Sequence, residues 1–269
     1  MNAEESPIAL RLELALEAAR QAGAITLEYF RRDDLEVERK GDDSPVTVAD
    51  RRAEEHLRRR IAEEFPGDGI LGEEFPERPG MSGYRWILDP IDGTKSFIHG
   101  VPLYGTLVGL ERQGEPAAGV ILIPALDECV YAAIGQGAWY VRGDRPPTPA
   151  KVSDCPRLAE GLFVTSEPNT FDQAGRRDVY EGLLAAARTT RTWGDCYGYL
   201  LVATGRAEVM VDPVVNLWDA AAVLPVIEEA GGRFTDWQGR TTIYSGQCLA
   251  TNPHVLDEVL AITRQQGAA

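Results

Sequence analysis

The chain has no run of lysines and arginines longer than three, no close pair of cysteines and no apolar stretch as long as a membrane span. Its 27 Lys and Arg face 42 Asp and Glu, a net charge of -15. That balance excludes the usual nucleic-acid groove or anionic membrane surface, since both need clustered cations to neutralise phosphates. An acidic surplus instead suits a protein that recruits divalent cations through carboxylates. The four cysteines, Cys129, Cys155, Cys196 and Cys248, are too far apart for a zinc or redox motif and read as reduced thiols. Only His56, His99 and His254 offer imidazoles. His56 and His254 read as surface residues, and His99 as structural. Residues 1–7 lack the basic and apolar regions of a secretory signal, so the expected compartment is the cytoplasm. Repeats and low-complexity tracts are also missing.

What is present is an ordinary globular composition. With 269 residues, 44% hydrophobic and 26% charged, the chain can build one large domain or two medium ones. Apolar residues at helical spacing predict helices over residues 7–32 and 49–65, separated by an extended or loop-like segment at 37–48. Short strands follow at 69–72 and 85–89, the second ending at Asp89-Pro90, then at 103–110, 117–123 and 128–134 in a meander. The proline-rich stretch 145–149 marks a boundary, giving an amino-terminal α+β half at 1–146 and a carboxyl-terminal α/β half at 147–269. In the second half strands at 161–165 and 207–212 alternate with helices at 171–188, 198–204 and 218–230.

Acidic residues concentrate in three places: Gly72-Glu-Glu74, Asp89-Pro-Ile-Asp92, and Trp218-Asp219 at a predicted helix start. Magnesium prefers near-octahedral oxygen coordination and keeps waters and substrate phosphate in its shell, so several convergent carboxylates suit it. Pro90 and Gly93 stiffen and turn the backbone while letting a phosphate approach the amides of Gly93 and Thr94. Taken singly, each feature has a plainer reading: a turn, a solvated glutamate pair, a helix cap.

Together, Gly72-Glu-Glu74, Trp86-Ile-Leu-Asp-Pro-Ile-Asp-Gly-Thr94 and Trp218-Asp-Ala-Ala-Ala222 leading to Glu228-Glu-Ala-Gly-Gly232 resemble the inositol monophosphatase superfamily in order and spacing. The resemblance covers nearly the whole chain from the segment at 40–50 onward. It implies a layered αβαβα sandwich of the inositol monophosphatase and fructose-1,6-bisphosphatase type, and usually a homodimer. It also implies two or three magnesium ions. Glu73, Asp89 and the Ile91 carbonyl would bind one, and Asp89, Asp92 and Asp219 a second, with a weaker third near Glu73. Thr94, supported by Asp50, would orient the attacking water, with Glu73 also in the catalytic set. The Gly93 and Thr94 amides would hold phosphate oxygens.

The implied substrate is a small phosphate monoester. Lys95 stands where inositol phosphatases carry threonine; a lysine there is also typical of nucleotidases acting on adenosine bisphosphates. It reads either as a phosphate contact or as a surface charge. The stretch from Arg191 to Arg206, with Ala207-Glu-Val-Met-Val-Asp-Pro213, looks most like the histidinol-phosphate phosphatases of the superfamily. Gly194, Asp195 and Asp212 occupy the positions that face the substrate, and carboxylates suit a protonated amine better than a neutral cyclitol. Plainer readings are that Asp195 binds backbone or water and that Asp212 closes a turn. Inositol phosphate and adenosine bisphosphate remain the rival substrates, and a silent regulatory protein the rival from another class.

Overall fold

The structure, a computed structural model, describes residues 7–39, 41 and 45–264. Parts of the segments at 37–48 and 40–50, namely residues 40 and 42–44, lie outside the described residues, as do residues 1–6 and 265–269. Helix α1 (Pro7–Tyr29) is followed by a hairpin of β1 (Val37–Arg39) and β2 (Pro45–Thr47), then by α2 (Val48–Glu64). Thr47 caps α2: its hydroxyl accepts the Ala49 N–H at 3.1 Å, while the Asp50 carboxylate accepts the Thr47 N–H at 2.8 Å.

A seven-stranded sheet comes next. Its strands are β3 (Gly69–Gly72), β4 (Tyr84–Asp92), β5 (Gly105–Arg112), β6 (Glu115–Ile123), β7 (Glu128–Ala133), β8 (Ala138–Arg142) and β9 (Thr148–Pro149), with α3 (Thr94–Ile98) between β4 and β5. Strands β3 and β4 run parallel and the rest form the expected antiparallel meander. Side chains alternate in direction along it. Trp86, Leu88, Val108, Leu110, Val120 and Leu122 pack outward against α1 and α2, while Ile87, Leu107 and Ile121 point the other way. Truncating a core residue such as Trp86 to alanine would cost about 3–5 kcal/mol.

The remaining elements are β10 (Leu162–Val164), α4 (Pro168–Gln173), α5 (Arg177–Ala186), β11 (Thr189–Arg191), α6 (Asp195–Ala203), β12 (Val209–Asp212), α7 (Leu217–Ala221), α8 (Val223–Glu229), β13 (Arg233–Thr235), β14 (Cys248–Thr251) and α9 (Leu256–Thr263). The five strands form a mixed sheet in the order β11-β10-β12-β14-β13. Residues of α6, α7 and α8 fill the space between the two sheets, and α5 and α9 cover the far face of the smaller one. The result is the layered αβαβα sandwich, with helices between and outside two sheets.

Three elements differ from their sequence-predicted form. Strand β4 does not stop at Asp89 but runs to Asp92, with its register shifted between those residues. Pro90 has no N–H to offer a ladder, so the shift falls there, and its carbonyl accepts the Thr106 hydroxyl at 2.9 Å instead. The helix expected at 218–230 is two, because Pro225 cannot donate to the carbonyl four residues back and is tolerated only in the first turn of a new helix. The helix expected at 171–188 is likewise divided, around Gly175 at φ 66°. The proline-rich stretch supplies the edge strand β9, paired with Trp139 and Tyr140.

Candidate active site

The ends of β3 and β4 and the start of α7 bring three acidic contexts to one place. Because β3 and β4 are parallel, with Gly72 beside Leu88, the next residues, Glu73 just past the end of β3 and Asp89 within β4, come side by side. The Glu73 N–H continues the pairing to the Leu88 carbonyl at 3.2 Å. Helix α7 arrives from the other half. Ala221 and Ala222 lie directly on two sheet glycines: a Cβ on Gly109 would sit 2.7 Å from Ala221 Cβ, and one on Gly119 only 2.0 Å from the Ala222 carbonyl oxygen. No side chain fits between, and that close approach lowers Asp219 onto the sheet end.

Asp89, Asp92 and Asp219 each present a carboxylate oxygen within 4.8 Å of the others. The Ile91 N–H donates to Asp89 at 3.0 Å, the Asn216 N–H to Asp219 at 2.6 Å, and the Cys196 N–H to Asp92. Burial, and then the charge of Glu73 and the other aspartates, pushes Asp89 well above the usual carboxylate range. Burial followed by the charges of Asp195 and Asp219 does the same to Asp92. Asp219 is pushed up to about 7, chiefly by burial, with Glu73 and Asp195 adding to it. Such mutual repulsion among hard oxygen donors is what a divalent cation relieves, so the donor set fits magnesium-like ions.

Thr94 and Asp50 meet beside this cluster. The Thr94 hydroxyl lies 3.0 Å from the Ile91 carbonyl and 3.4 Å from Asp50 Oδ1. The other Asp50 oxygen accepts both the N–H and the hydroxyl of Thr47, the latter at 2.6 Å. Burial outweighs those bonds and lifts Asp50 to about 6. Gly93 holds φ 86° and ψ 39°, a left-handed turn that sends the chain from β4 into α3.

A pocket of about 510 Å³ opens from this point. Glu73, Asp92, Gly93, Thr94 and Asp219 line it, together with Ser166, Glu167, Gly194, Asp195, Tyr199 and Asp212. The lining therefore carries a second acidic group, Asp195 and Asp212, beside the cluster. Asp195 Oδ2 stands 3.0 Å from where a Cβ on Gly93 would be. Asp195 itself holds φ 50°, an unfavourable backbone for a residue with a side chain, of the kind that collects at functional sites. Burial, then the charge of Asp212, raises it to about 6. Asp212 sits deeper and accepts four protein donors: the Thr165 hydroxyl, the Ser166 N–H and hydroxyl, and the Tyr199 hydroxyl, at 2.9 to 3.2 Å. Gly194 is set by packing, since a Cβ there would lie 2.1 Å from Ser166 Cα. Lys95 faces the pocket mouth and pairs with Glu167 at 2.6 Å.

Every catalytic, metal and substrate candidate named from the sequence lines the pocket except the buried Asp50, Asp89 and Ile91, of which Asp50 and Ile91 touch Thr94 in its lining. The sequence reading missed Ser166, Glu167 and Tyr199. Ser166 accepts the Asp195 N–H at 2.8 Å while donating to Asp212, so it joins the two aspartates. No motif marks it. His99 bonds the Lys95 carbonyl at 2.8 Å and His56 faces Gln21, consistent with non-catalytic roles.

Known proteins are similar to this chain in sequence and fold. Over 240 residues the chain is 48% identical to a histidinol-phosphatase of Chlorobaculum parvum, covering 89% of this chain and 91% of that one. It is 39% identical over 249 residues to a histidinol-phosphatase of Mycobacterium tuberculosis, covering 93% and 96%. The crystal structure of the extragenic suppressor protein suhB from Bartonella henselae superposes with a TM-score of 0.88 at 30% identity, across 96% of this chain and all of the other. Residues 10–268 match the profile of the inositol monophosphatase family, and with the fold and the acidic site already in place the chain belongs to that family.

Proposed function

We propose that this chain is a phosphoric monoester hydrolase that uses divalent metal ions, magnesium in the cell, to release inorganic phosphate from histidinol phosphate. The observation that carries the reading is a pocket lined by two groups of carboxylates. One group, Asp89, Asp92, Asp219 and Glu73, suits metal ions. The other, Asp195 backed by Asp212, suits a protonated amine. The relatives named as histidinol-phosphatases support the same substrate.

Glu73, Asp89 and the Ile91 carbonyl would hold one ion, and Asp89, Asp92 and Asp219 a second, with room for a weaker third near Glu73. Metal ions held there would supply Lewis acidity toward phosphoryl oxygens and water. The chain's own groups do the rest. Thr94 Oγ accepts a proton from the attacking water as its own hydroxyl proton moves toward Asp50 Oδ1, a carboxylate whose raised affinity for protons suits the task; the water oxygen bonds to phosphorus as the ester P–O bond breaks, and the departing alkoxide takes its proton from solvent water. The amides of Gly93 and Thr94 offer donors to the phosphoryl oxygens, where charge must be offset during transfer. Asp195 receives the substrate ammonium, and Asp212, saturated by Ser166, Thr165 and Tyr199, adds negative charge from behind and fixes Ser166. Lys95, held by Glu167, stands at the entrance on the phosphate side. By family resemblance the working unit is a homodimer, which sedimentation velocity checks.

A panel of histidinol phosphate, inositol-1-phosphate and an adenosine bisphosphate, each with magnesium, tests the substrate. Histidinol phosphate should have the highest kcat/KM. Asp195→Asn should raise its KM by on the order of 10-fold, the loss of one charge-assisted contact, while leaving the KM for inositol phosphate nearly unchanged. Equal turnover of inositol phosphate, or the same KM shift for both esters, would overturn the choice.

A further inference from the structure

Helix α2 carries more than Asp50. One turn on is Glu54, whose carboxyl group is 0% exposed, and another turn on is Arg58. Residues four apart share a helix face, so the three stand in a row. Glu54 Oε2 accepts the Glu74 N–H at 2.7 Å, and Oε1 accepts Arg58 Nε at 2.6 Å. The two terminal nitrogens of Arg58 reach past Glu54 to the carbonyls of Phe75, at 2.9 Å, and Pro76, at 3.1 Å. On the other side of Glu73, a Cβ on Gly72 would lie 2.1 Å from Glu54 Oε1, so the carboxyl group rests against bare backbone. Glu73 is therefore flanked on both sides by backbone that this pair grips.

Burying an ion pair is a poor way to gain stability, because the desolvation of both charges offsets most of their attraction and apolar residues of similar volume do as well. Such a pair does fix geometry. Every bond it makes goes to residues 74–76, the turn that leaves β3 just after Glu73.

We propose that Glu54 and Arg58 are positioning residues that clamp residues 72–76 onto α2, aiming the Glu73 carboxylate at Asp89 and locking it in one rigid unit with Asp50. The inference rests on Glu73 as a metal ligand, as read above. It differs from a purely structural clamp in what it predicts: loss of the pair weakens metal binding in protein that is still folded. Outer partners of metal ligands commonly contribute 10- to 100-fold in affinity.

The test measures Mn2+ binding to the full chain by the electron paramagnetic resonance signal of free Mn2+, beside thermal melts, for the parent, Glu54→Gln, Arg58→Met and Glu73→Gln. Glu54→Gln keeps an acceptor for the Glu74 N–H but turns an amide NH2 toward Arg58. Arg58→Met keeps the aliphatic stem and loses the donors. Folded Glu54→Gln and Arg58→Met should each bind Mn2+ about 10-fold more weakly, with the KM for the phosphate ester at saturating metal nearly unchanged. If either folded variant binds Mn2+ like the parent while Glu73→Gln binds weakly, the clamp is structural only and the proposal fails. If Glu73→Gln itself binds like the parent, the reading of Glu73 falls and takes the proposal with it. Should one variant not fold, the other decides alone.

Discussion

Strands β3 and β4 have buried carboxylates at both ends, treated in opposite ways. At the entry end, Asp68, 1% exposed, receives the Arg11 guanidinium at 2.8 and 3.0 Å, the Ser82 hydroxyl at 2.6 Å and the Trp86 indole N–H at 2.9 Å. Arg11 is sandwiched between the rings of Phe65 and Tyr84, 4.1 and 3.8 Å from their centroids. Burial alone would raise Asp68, but these donors outweigh it and hold the group below the ordinary carboxylate range. At the exit end, Asp89 and Asp92 are raised by burial and by one another's neighbours. One end is an electrostatically closed unit and the other an open one. A buried charge with its counter-ion built in serves the fold, whereas buried charges left facing each other serve a ligand that brings the opposite charge.

The contrast can be broken from either end. The largest effect is expected at the open end. Asp219→Asn or Asp92→Asn should lower kcat/KM by on the order of 1000-fold, equivalent to about 4 kcal/mol, with a melting temperature in chelator no lower than the parent's. Near-normal turnover, or a melting temperature that collapses with it, would erase the distinction. Next comes the closed end: Asp68→Asn strands Arg11 and should cost about 3 kcal/mol of stability in denaturant unfolding, with kcat of the folded protein little changed. Metal should act on one end only. Magnesium at about 100 times its dissociation constant should add about 2.7 kcal/mol to the stability of the parent and of Asp68→Asn alike, and much less to Asp219→Asn. An equal gain in all three would mean that the ion binds elsewhere.

The smallest effect is a matter of slope. A carboxyl group held below its unfolded value stabilises the fold above the ordinary carboxylate range, and that contribution is lost as pH falls through the lower folded value. The acid limb of the stability curve should therefore be shallower in Asp68→Asn than in the parent, as followed by urea unfolding across acidic pH. A parallel acid limb would show that Asp68 titrates the same way folded and unfolded.

Much of the site could be read in advance because its chemistry is local. Asp89-Pro-Ile-Asp-Gly-Thr94 holds two carboxylates, a turn and a hydroxyl within six residues, and the spacing survives folding. The same locality made β4 look too short: Asp-Pro reads as a strand end, and only the Thr106 hydroxyl, from the neighbouring strand, takes up the carbonyl of Pro90 and lets the strand continue. Pro225 was visible in the sequence, yet its consequence depended on the place where α8 begins. The second acidic group of the lining was legible only in part. Asp195 and Asp212 stood out as charges in a family-like stretch, but the bonds that hold Asp212 come from Ser166, just past β10, and from Tyr199 on α6, which no local pattern announces. In the sequence nothing sets Glu54 and Arg58 apart on a helix rich in both charges; the full burial of Glu54 does.

The contact of Ala221 and Ala222 with Gly109 and Gly119 also bears on how the protein comes into being. During synthesis Glu73, Asp89 and Asp92 leave the ribosome long before Asp219, so a nascent chain holds an incomplete set of acids however well its first sheet has formed. The set closes only when the α7–α8 corner seats on those two bare backbone positions. On the function proposed above, metal capture would be deferred until the second sheet has docked, because a chain that stalls halfway lacks Asp219 and with it the complete acidic cluster.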